Sequence, residues 1–183
     1  MSNFILASQS PRRKQLLQLA EVDFEIDVPN TDESYPPDLA LTQIPIYIAR
    51  IKALAIQQKH ASKSVIAADT IVVIDNQILG KPNNEQEAIN MLKMLQGRTH
   101  QVITGVCVLT PNSCHYFHEI TEVSFLPLSL DQIEYYVKRY KPLDKAGSYA
   151  IQEWIGAIGI QSIKGCYYNV VGLPISRLMS FLK

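Results

Sequence analysis

The residues best suited to chemistry begin near the N-terminus, where Phe4-Ile5-Leu6-Ala7 runs into Ser8-Gln9-Ser10-Pro11-Arg12-Arg13. An apolar strand, a hydroxyl-rich turn and a helix start, in that order, make a place for an anion. The first turn of a helix presents unpaired N–H groups and a partial positive charge. Both serine hydroxyls and both guanidinium groups stand at that end. Arg12 and Arg13 diverge by about 100° around the helix, so they face different tasks. For this segment alone, an ordinary capped helix with solvated arginines explains the same residues.

Glu33 and Asp69 are the carboxylates to pair with it. Asp69 interrupts an apolar run, Val65-Ile66-Ala67-Ala68 before it and Ile71-Val72-Val73-Ile74 after it. A charge there finds a partner or shifts its pKa. A divalent cation shared with Glu33 is one such partner, because carboxylates hold Mg²⁺ together with substrate phosphates. A turn-forming Asp at a strand end is the alternative, and an acidic loop residue such as Glu33 is often simply solvated. Lys52 falls one helical turn after Ile48, and Lys81 lies in Leu79-Gly80-Lys81-Pro82. Each on its own fits a snorkelling or surface lysine. Together with Arg13 they are the cations that a triphosphate requires.

Other chemistries find less support. GxxxxGK[ST], GxSxG and GxGxxG are all absent, which disfavours P-loop enzymes, serine hydrolases of the elbow type and dinucleotide binders. Cys114, His115 and His118 resemble metal ligands, but on a strand His115 faces away from the other two. His100 stands alone before a strand and reads as structural.

These groups need a scaffold, and the hydrophobic pattern supplies one. Strands are expected at Phe4 to Ala7, Phe24 to Val28, Ser64 to Ala68, Ile71 to Ile74, Gln101 to Leu109 and Tyr116 to Leu126. Two more strand-like segments follow at Ala157 to Ile163 and Tyr167 to Val171. A helix capped by Ser10, with Pro11 in its first turn, buries Leu16, Leu17 and Ala20. Ile44, Ile48, Ile51 and Ala55 recur at helical spacing, with Pro45 tolerable only in the first turn. Ala88, Met91, Leu92 and Leu95 mark a helix closed by Gly97. Ser129 with Gln132 forms a capping box before Ile133, Tyr136, Val137 and Tyr140. Leu173 onward closes as a helix. Helices and strands alternate first and β-rich sequence follows, which predicts an α/β fold around a mixed sheet.

Composition agrees. With 183 residues, 47% hydrophobic and 19% charged, the chain suits one domain, or two lobes sharing a core. Seventeen basic residues balance seventeen acidic ones, which argues against a broad platform for nucleic acid. Cys107, Cys114 and Cys166 lack CxxC spacing and read as free buried thiols of a reducing compartment. No apolar run approaches a signal or transmembrane segment, so the expected location is the cytoplasm, away from membranes.

Several of these pieces fall in the order of a known family. Leu6-Ala7-Ser8-Gln9-Ser10-Pro11-Arg12-Arg13-Lys14-Gln15-Leu16-Leu17 resembles the N-terminal motif of Maf proteins. Asp32-Glu33, Ala49 through Lys52-Ala53, Ala68-Asp69-Thr70 and Leu79-Gly80-Lys81-Pro82 follow in family order. So do Gly97-Arg98-x-His100-x-Val102-x-Thr104-Gly105-Val106, Asp144 through Gln152, and Asn169-Val170-Val171-Gly172-Leu173-Pro174. The matches cover essentially the whole chain, as a single Maf-like domain over residues 1–183.

The resemblance implies an elongated, two-lobed α/β fold around a mixed twisted sheet with a central cleft, similar to that of inosine triphosphate pyrophosphatase. It implies hydrolysis of a nucleoside triphosphate to the monophosphate and pyrophosphate, with Mg²⁺ or Mn²⁺, in a nucleotide-cleansing role. Asp69 matches the family's proton acceptor. Ser8, Arg13, Glu33, Lys52 and Lys81 match its phosphate and metal pocket, with Glu33 and Asp69 on the metal. Arg12, Thr70 and Gln152 match the base-selecting positions of the branch acting on dTTP and UTP. The branch acting on 7-methylguanosine triphosphate has Trp in place of the first Arg and Asp-Gln in place of Asp-Thr, and this chain has neither. Ala150, where Gly is frequent, is a peripheral variation. A homodimer is a further family expectation. The rival functions are a nucleotide-binding regulator of cell division without catalysis, and a pyrophosphatase for altered purine nucleotides. Loss of Asp69 or Glu33 would suit the regulator, and both are present.

Overall fold

Phe4–Leu6 forms β1, with parallel neighbours on both sides: β2 (Phe24–Ile26) and β3 (Ser64–Ile74). Parallel neighbours need crossover connections, and the helices α1 (Pro11–Leu19) and α2 (Ile44–Gln57) supply them. The computed structural model describes residues 3–182. The remaining elements are β4 (Gln77–Leu79), α3 (Glu85–Leu95), β5 (Thr99–Leu109), β6 (Cys114–Phe125), α4 (Leu130–Tyr140), α5 (Trp154–Gly159), β7 (Ile160–Lys164), α6 (Tyr167–Val171) and α7 (Ile175–Leu178). One mixed sheet has the order β2-β1-β3-β5-β6-β7, with β4 antiparallel to β3. This is the expected α/β class. Among the described residues, no helix is long and apolar enough to cross a membrane.

The chain forms two compact units. The first comprises Met1–Thr70, Thr104–Glu119 and Gly172–Lys183, the second Ile71–Ile103 and Ile120–Val171. In the first, Ile5, Ala7, Val65 and Ala67 pack with Ala49, Ala53 and Ile56 of α2 and with Cys107. Small residues on that helix let it settle close to the strands. Gly105 marks the closest approach: a Cβ there would lie 2.2 Å from the backbone nitrogen of Ile46. In the second unit, Ala88, Met91, Leu92 and Leu95 of α3 share a core with Ile133, Tyr136 and Val137 of α4. The Ser129–Gln132 capping box is present, as are the Ser10 cap on α1 and the positive φ of Gly97.

Four expectations need correction. Asp69-Thr70 does not break β3, which is continuous. It pairs with β1 over residues 64–66 and with β4 over 72–74, and Asp69-Thr70 lies between those stretches. The segment Ala157 to Ile163 is the end of α5 followed by β7. Here Gly156 packs so tightly that a Cβ would lie 1.7 Å from the carbonyl oxygen of Ile151, so only a residue without a Cβ fits at that position. Tyr167 to Val171 is α6, although Tyr and Val favour strands. Its fully buried Asn169 donates from Nδ2 to the Val102 carbonyl (3.0 Å) and to Thr121 Oγ1 (2.9 Å). A side chain anchored in this way overrides local propensity. Finally, only Cys107 of the three thiols is buried. Cys114 is exposed at the end of a hairpin, and Cys166 is half-buried.

Gly105→Ala should test the contact between α2 and β5. With backbone rather than side chain in the way, relief requires the helix to move, and we expect a loss of about 2–3 kcal/mol in unfolding free energy by urea titration. A change under ~0.5 kcal/mol would mean that α2 does not rest on Gly105.

Candidate active site

Parallel pairing of β1 with β3 brings Leu6 level with Ile66, so the turn that follows β1 emerges beside Asp69 and Thr70 farther along β3. Ligands of open α/β sheets sit at such carboxyl ends of strands. Ser8 is buried in that turn, and its Oγ accepts from the Ser10 backbone N–H (3.1 Å). Arg13, on the first turn of α1, then ties three pieces of chain together. Its Nε donates to the Gly172 carbonyl (2.9 Å), Nη1 to Ser8 Oγ (3.3 Å) and Nη2 to Thr70 Oγ1 (3.1 Å). A guanidinium has five N–H groups, so two donors remain for an anion. Burial lowers the Arg13 pKa from its ordinary value, Asp69 and Glu33 raise it, and Arg12 lowers it.

Lys52 answers the second requirement. The buried residues of α2 are Ile44, Pro45, Ile46, Ile48, Ala49, Lys52, Ala53 and Ile56, while Ile51 and Ala55 stand half-exposed. Lys52 therefore lies on the buried face itself. Its side chain is 10% exposed, and its ammonium lies 2.9 Å from Asp69 Oδ1 and 3.0 Å from Glu33 Oε1. Two carboxylates thus converge on one buried cation. Asp69 is mostly buried, whereas Glu33 is half-exposed on the loop between β2 and α2. That loop is held at two points. Asp27 at its start meets His60 Nε2 (2.8 Å) at the end of α2, and Asp32 accepts from the backbone N–H and hydroxyl of Ser34 (2.9 Å each). Both contacts keep the Asp27 and Asp32 carboxyl groups below the usual range.

Six of the predicted site residues, Ser8, Arg13, Glu33, Lys52, Asp69 and Thr70, therefore gather in the first unit. Arg12 is half-buried beside them on α1. Lys81 and Gln152 belong to the second unit, and both are exposed. The strand-end alternative for Asp69 fails, since it lies in mid-strand, and the snorkelling alternative fails for Lys52. Two contributors were not assigned a role from sequence. Thr104 is fully buried and bonds Thr70 Oγ1 at 2.9 Å, and the Gly172 carbonyl receives Arg13. A lone Thr in the apolar Val102-Ile103-Thr104-Gly105-Val106 was the available signal. Gly172 has φ of +122°, a conformation that L side chains rarely adopt. His100 is the buried structural residue that its position suggested. Its Nε2 lies 2.7 Å from the Tyr149 hydroxyl, and burial pushes its pKa down to about 4. Cys114, His115 and His118 make no metal cluster, and no group of three or more His, Cys, Asp or Glu among the described residues could hold a metal.

Arg13→Lys keeps the charge but cannot reach Gly172, Ser8 and Thr70 at once. We expect unfolding free energy to fall by roughly 1–3 kcal/mol in urea titrations. Wild-type stability would show that the three contacts do not brace the first unit.

The family model described as "Maf-like protein" matches residues 3–183. A protein of Phocaeicola vulgatus named dTTP/UTP pyrophosphatase is 51% identical over 181 residues, covering 98% of this chain and 94% of its own. Proteins with the same name from Cytophaga hutchinsonii and Bacillus mycoides are 47% and 49% identical, covering all of this chain and 84% and 95% of theirs. Among solved structures, the Staphylococcus aureus Ham1 protein aligns with a TM-score of 0.53 at 17% identity, over 98% of this chain and 97% of its own. A HAM1 protein from Coxiella burnetii aligns at 0.51 and 19%, over 100% and 98%, and at such identities the likeness is one of fold. Matched by the family model along nearly its whole length, and about half identical to full-length relatives, the chain belongs to the Maf-like proteins.

Proposed function

We propose that the chain hydrolyses nucleoside triphosphates, dTTP and UTP foremost, to the monophosphate and pyrophosphate in the cytoplasm, and so removes unwanted nucleotides from the pool. The relatives' names support the substrate class. The observation that carries the chemistry is the buried Lys52 ammonium shared by Asp69 and Glu33, beside an arginine-bearing helix start.

Water adds to the α-phosphorus, the bond from that phosphorus to the bridging oxygen breaks, and pyrophosphate leaves with the electron pair. Asp69 receives the water's proton. Only its Oδ1 is engaged by Lys52, and an oxygen remains for the water. Lys52, Arg13 and Ser8 in the first unit and Lys81 in the second bind phosphate oxygens and stabilise the charge of the departing group. Positioning and charge stabilisation do most of the work in such transfers.

The donor set also fits a divalent cation, Mg²⁺ or Mn²⁺. Glu33 Oε1 and Asp69 Oδ1 already converge on one positive charge. Two carboxylates with substrate phosphates and water are the usual way in which Mg²⁺ is held. When bound, the metal would neutralise phosphate charge and polarise the phosphorus centre. In the family expectation the enzyme acts as a homodimer.

Purified protein should release pyrophosphate from UTP and lose activity in excess EDTA. Asp69→Asn should lower kcat by at least about a hundredfold, the usual scale for a lost acid–base group, and should also lower the melting temperature, because it leaves the buried Lys52 with Glu33 alone. Orthophosphate as the product, or a fully active Asp69→Asn, would overturn the reaction class or the role of Asp69 respectively.

The base is read by Arg12, Thr70 and Gln152. Arg offers only donors, Gln both donor and acceptor, and the Thr70 hydroxyl, already bonded to Arg13 and Thr104, one remaining site, a set suited to the carbonyl–NH–carbonyl edge of uracil and thymine. Cytosine replaces the NH donor with an acceptor and one carbonyl with an amine. Mispairing of buried polar groups costs about 1–3 kcal/mol, roughly tenfold to a hundredfold in selectivity. We expect kcat/KM for dTTP and UTP to exceed that for CTP on this scale, and Gln152→Ala to narrow the gap. Equal values for CTP and UTP in the wild type would refute the assignment.

A further inference from the structure

Gln152 is exposed at the crest of a short turn, and its side-chain amide makes no hydrogen bond among the described residues. The backbone beneath it is unusually well tied. The Glu153 N–H donates to the Ala150 carbonyl (3.1 Å) and closes the turn. On one side of Gln152, the Ala150 N–H donates to the hydroxyl of Tyr136, a side chain with no exposed surface (3.2 Å). On the other side, that same hydroxyl donates to Glu153 Oε2 (2.5 Å). The second oxygen of Glu153 lies 3.6 Å from the ammonium of Lys145, which is 9% exposed and also bonds Asp144 (2.6 Å). Ile151 is buried, and Gly156 presses against its carbonyl. One phenol oxygen on α4 thus grips the chain on both sides of an exposed, unbonded glutamine.

A polar arrangement of this kind is costly as mere filler, because a carboxylate and an ammonium taken from water gain little over apolar packing. It does remove the backbone freedom on which the direction of the glutamine amide depends. We propose that Tyr136, Glu153 and Lys145 are positioning residues that hold Gln152 in the orientation that selects the base. The inference rests on the role of Gln152 proposed above. None of the three touches the base. They act through the turn, and their removal alters discrimination through Gln152 alone.

The test measures kcat/KM for UTP and CTP with the full-length enzyme. The variants are Tyr136→Phe, Glu153→Gln and Gln152→Ala, together with the two doubles that combine each of the first two with Gln152→Ala. Tyr136→Phe and Glu153→Gln should each lower the UTP to CTP ratio by roughly threefold to tenfold, the scale of one hydrogen bond. Neither should lower it further once Gln152 is Ala, since residues acting through one group are not additive. If Tyr136→Phe fails to fold, Glu153→Gln decides the matter. A wild-type ratio in both folded variants, even with lowered melting temperatures, would make the network a structural brace and overturn the proposal. So would equal losses with and without Gln152. If Gln152→Ala itself leaves the ratio unchanged, the base-reading role fails and takes this inference with it. If Gln152→Ala alone changes the ratio, that role stands and only the positioning network falls.

Discussion

An ammonium on the buried face of a helix must find negative charge, because solvation lost on burial has no other replacement. Lys52 finds it twice, in Asp69 on β3 and in Glu33 on the loop after β2. The small residues of α2 and the side-chain-free surface at Gly105 let the helix come near enough for that ammonium to arrive between them. Asp69 depends on Lys52 in turn, since an aspartate in mid-strand would otherwise stand with too little compensation, whereas Glu33 is half in solvent. Helix, strand and loop are thus coupled by a single charge, and the chemistry proposed for the site is built on the same atoms.

Arg13 performs the complementary task with directional bonds rather than charge alone. Its fork fits three acceptors that lie far apart in sequence, and the planar geometry sets where each must be. Thr70 is also backed by the buried Thr104, so its hydroxyl has little freedom. A hydroxyl held from two sides can discriminate between hydrogen-bonding partners better than one free to rotate.

Much of the fold could be read directly from the chain because its signals were local. The Ser10 cap, the Ser129–Gln132 box and the apolar stripes of α3 and α4 each depend on residues within a turn or two. Where the reading failed, the cause lay at a distance. Asp69-Thr70 looked like a break because a charge in an apolar run suggests one, yet the strand continues through a change of partners. Tyr167 to Val171 looked like a strand because Asn169 gave no hint of acceptors at Val102 and Thr121. The candidate charges were legible as types, and the family resemblance supplied their order. Neither the carbonyl of Gly172 nor the depth of Lys52 could be read in that way. A backbone oxygen carries no residue signature, and the buried face of α2 is rotated from the Ile44-Ile48-Ile51-Ala55 stripe.

The bond between Arg13 and Gly172 spans 159 positions. On a ribosome, the guanidinium is made long before its carbonyl acceptor. The first unit also needs residues 104–119, so it has no continuous stretch of chain from which to form early. Contacts of such long separation are slow to close, and their loop entropy must be overcome before they stabilise anything. A nascent chain therefore carries this arginine without its final anchor until residue 172 has been added. A chain stalled before residue 172 cannot make this bond.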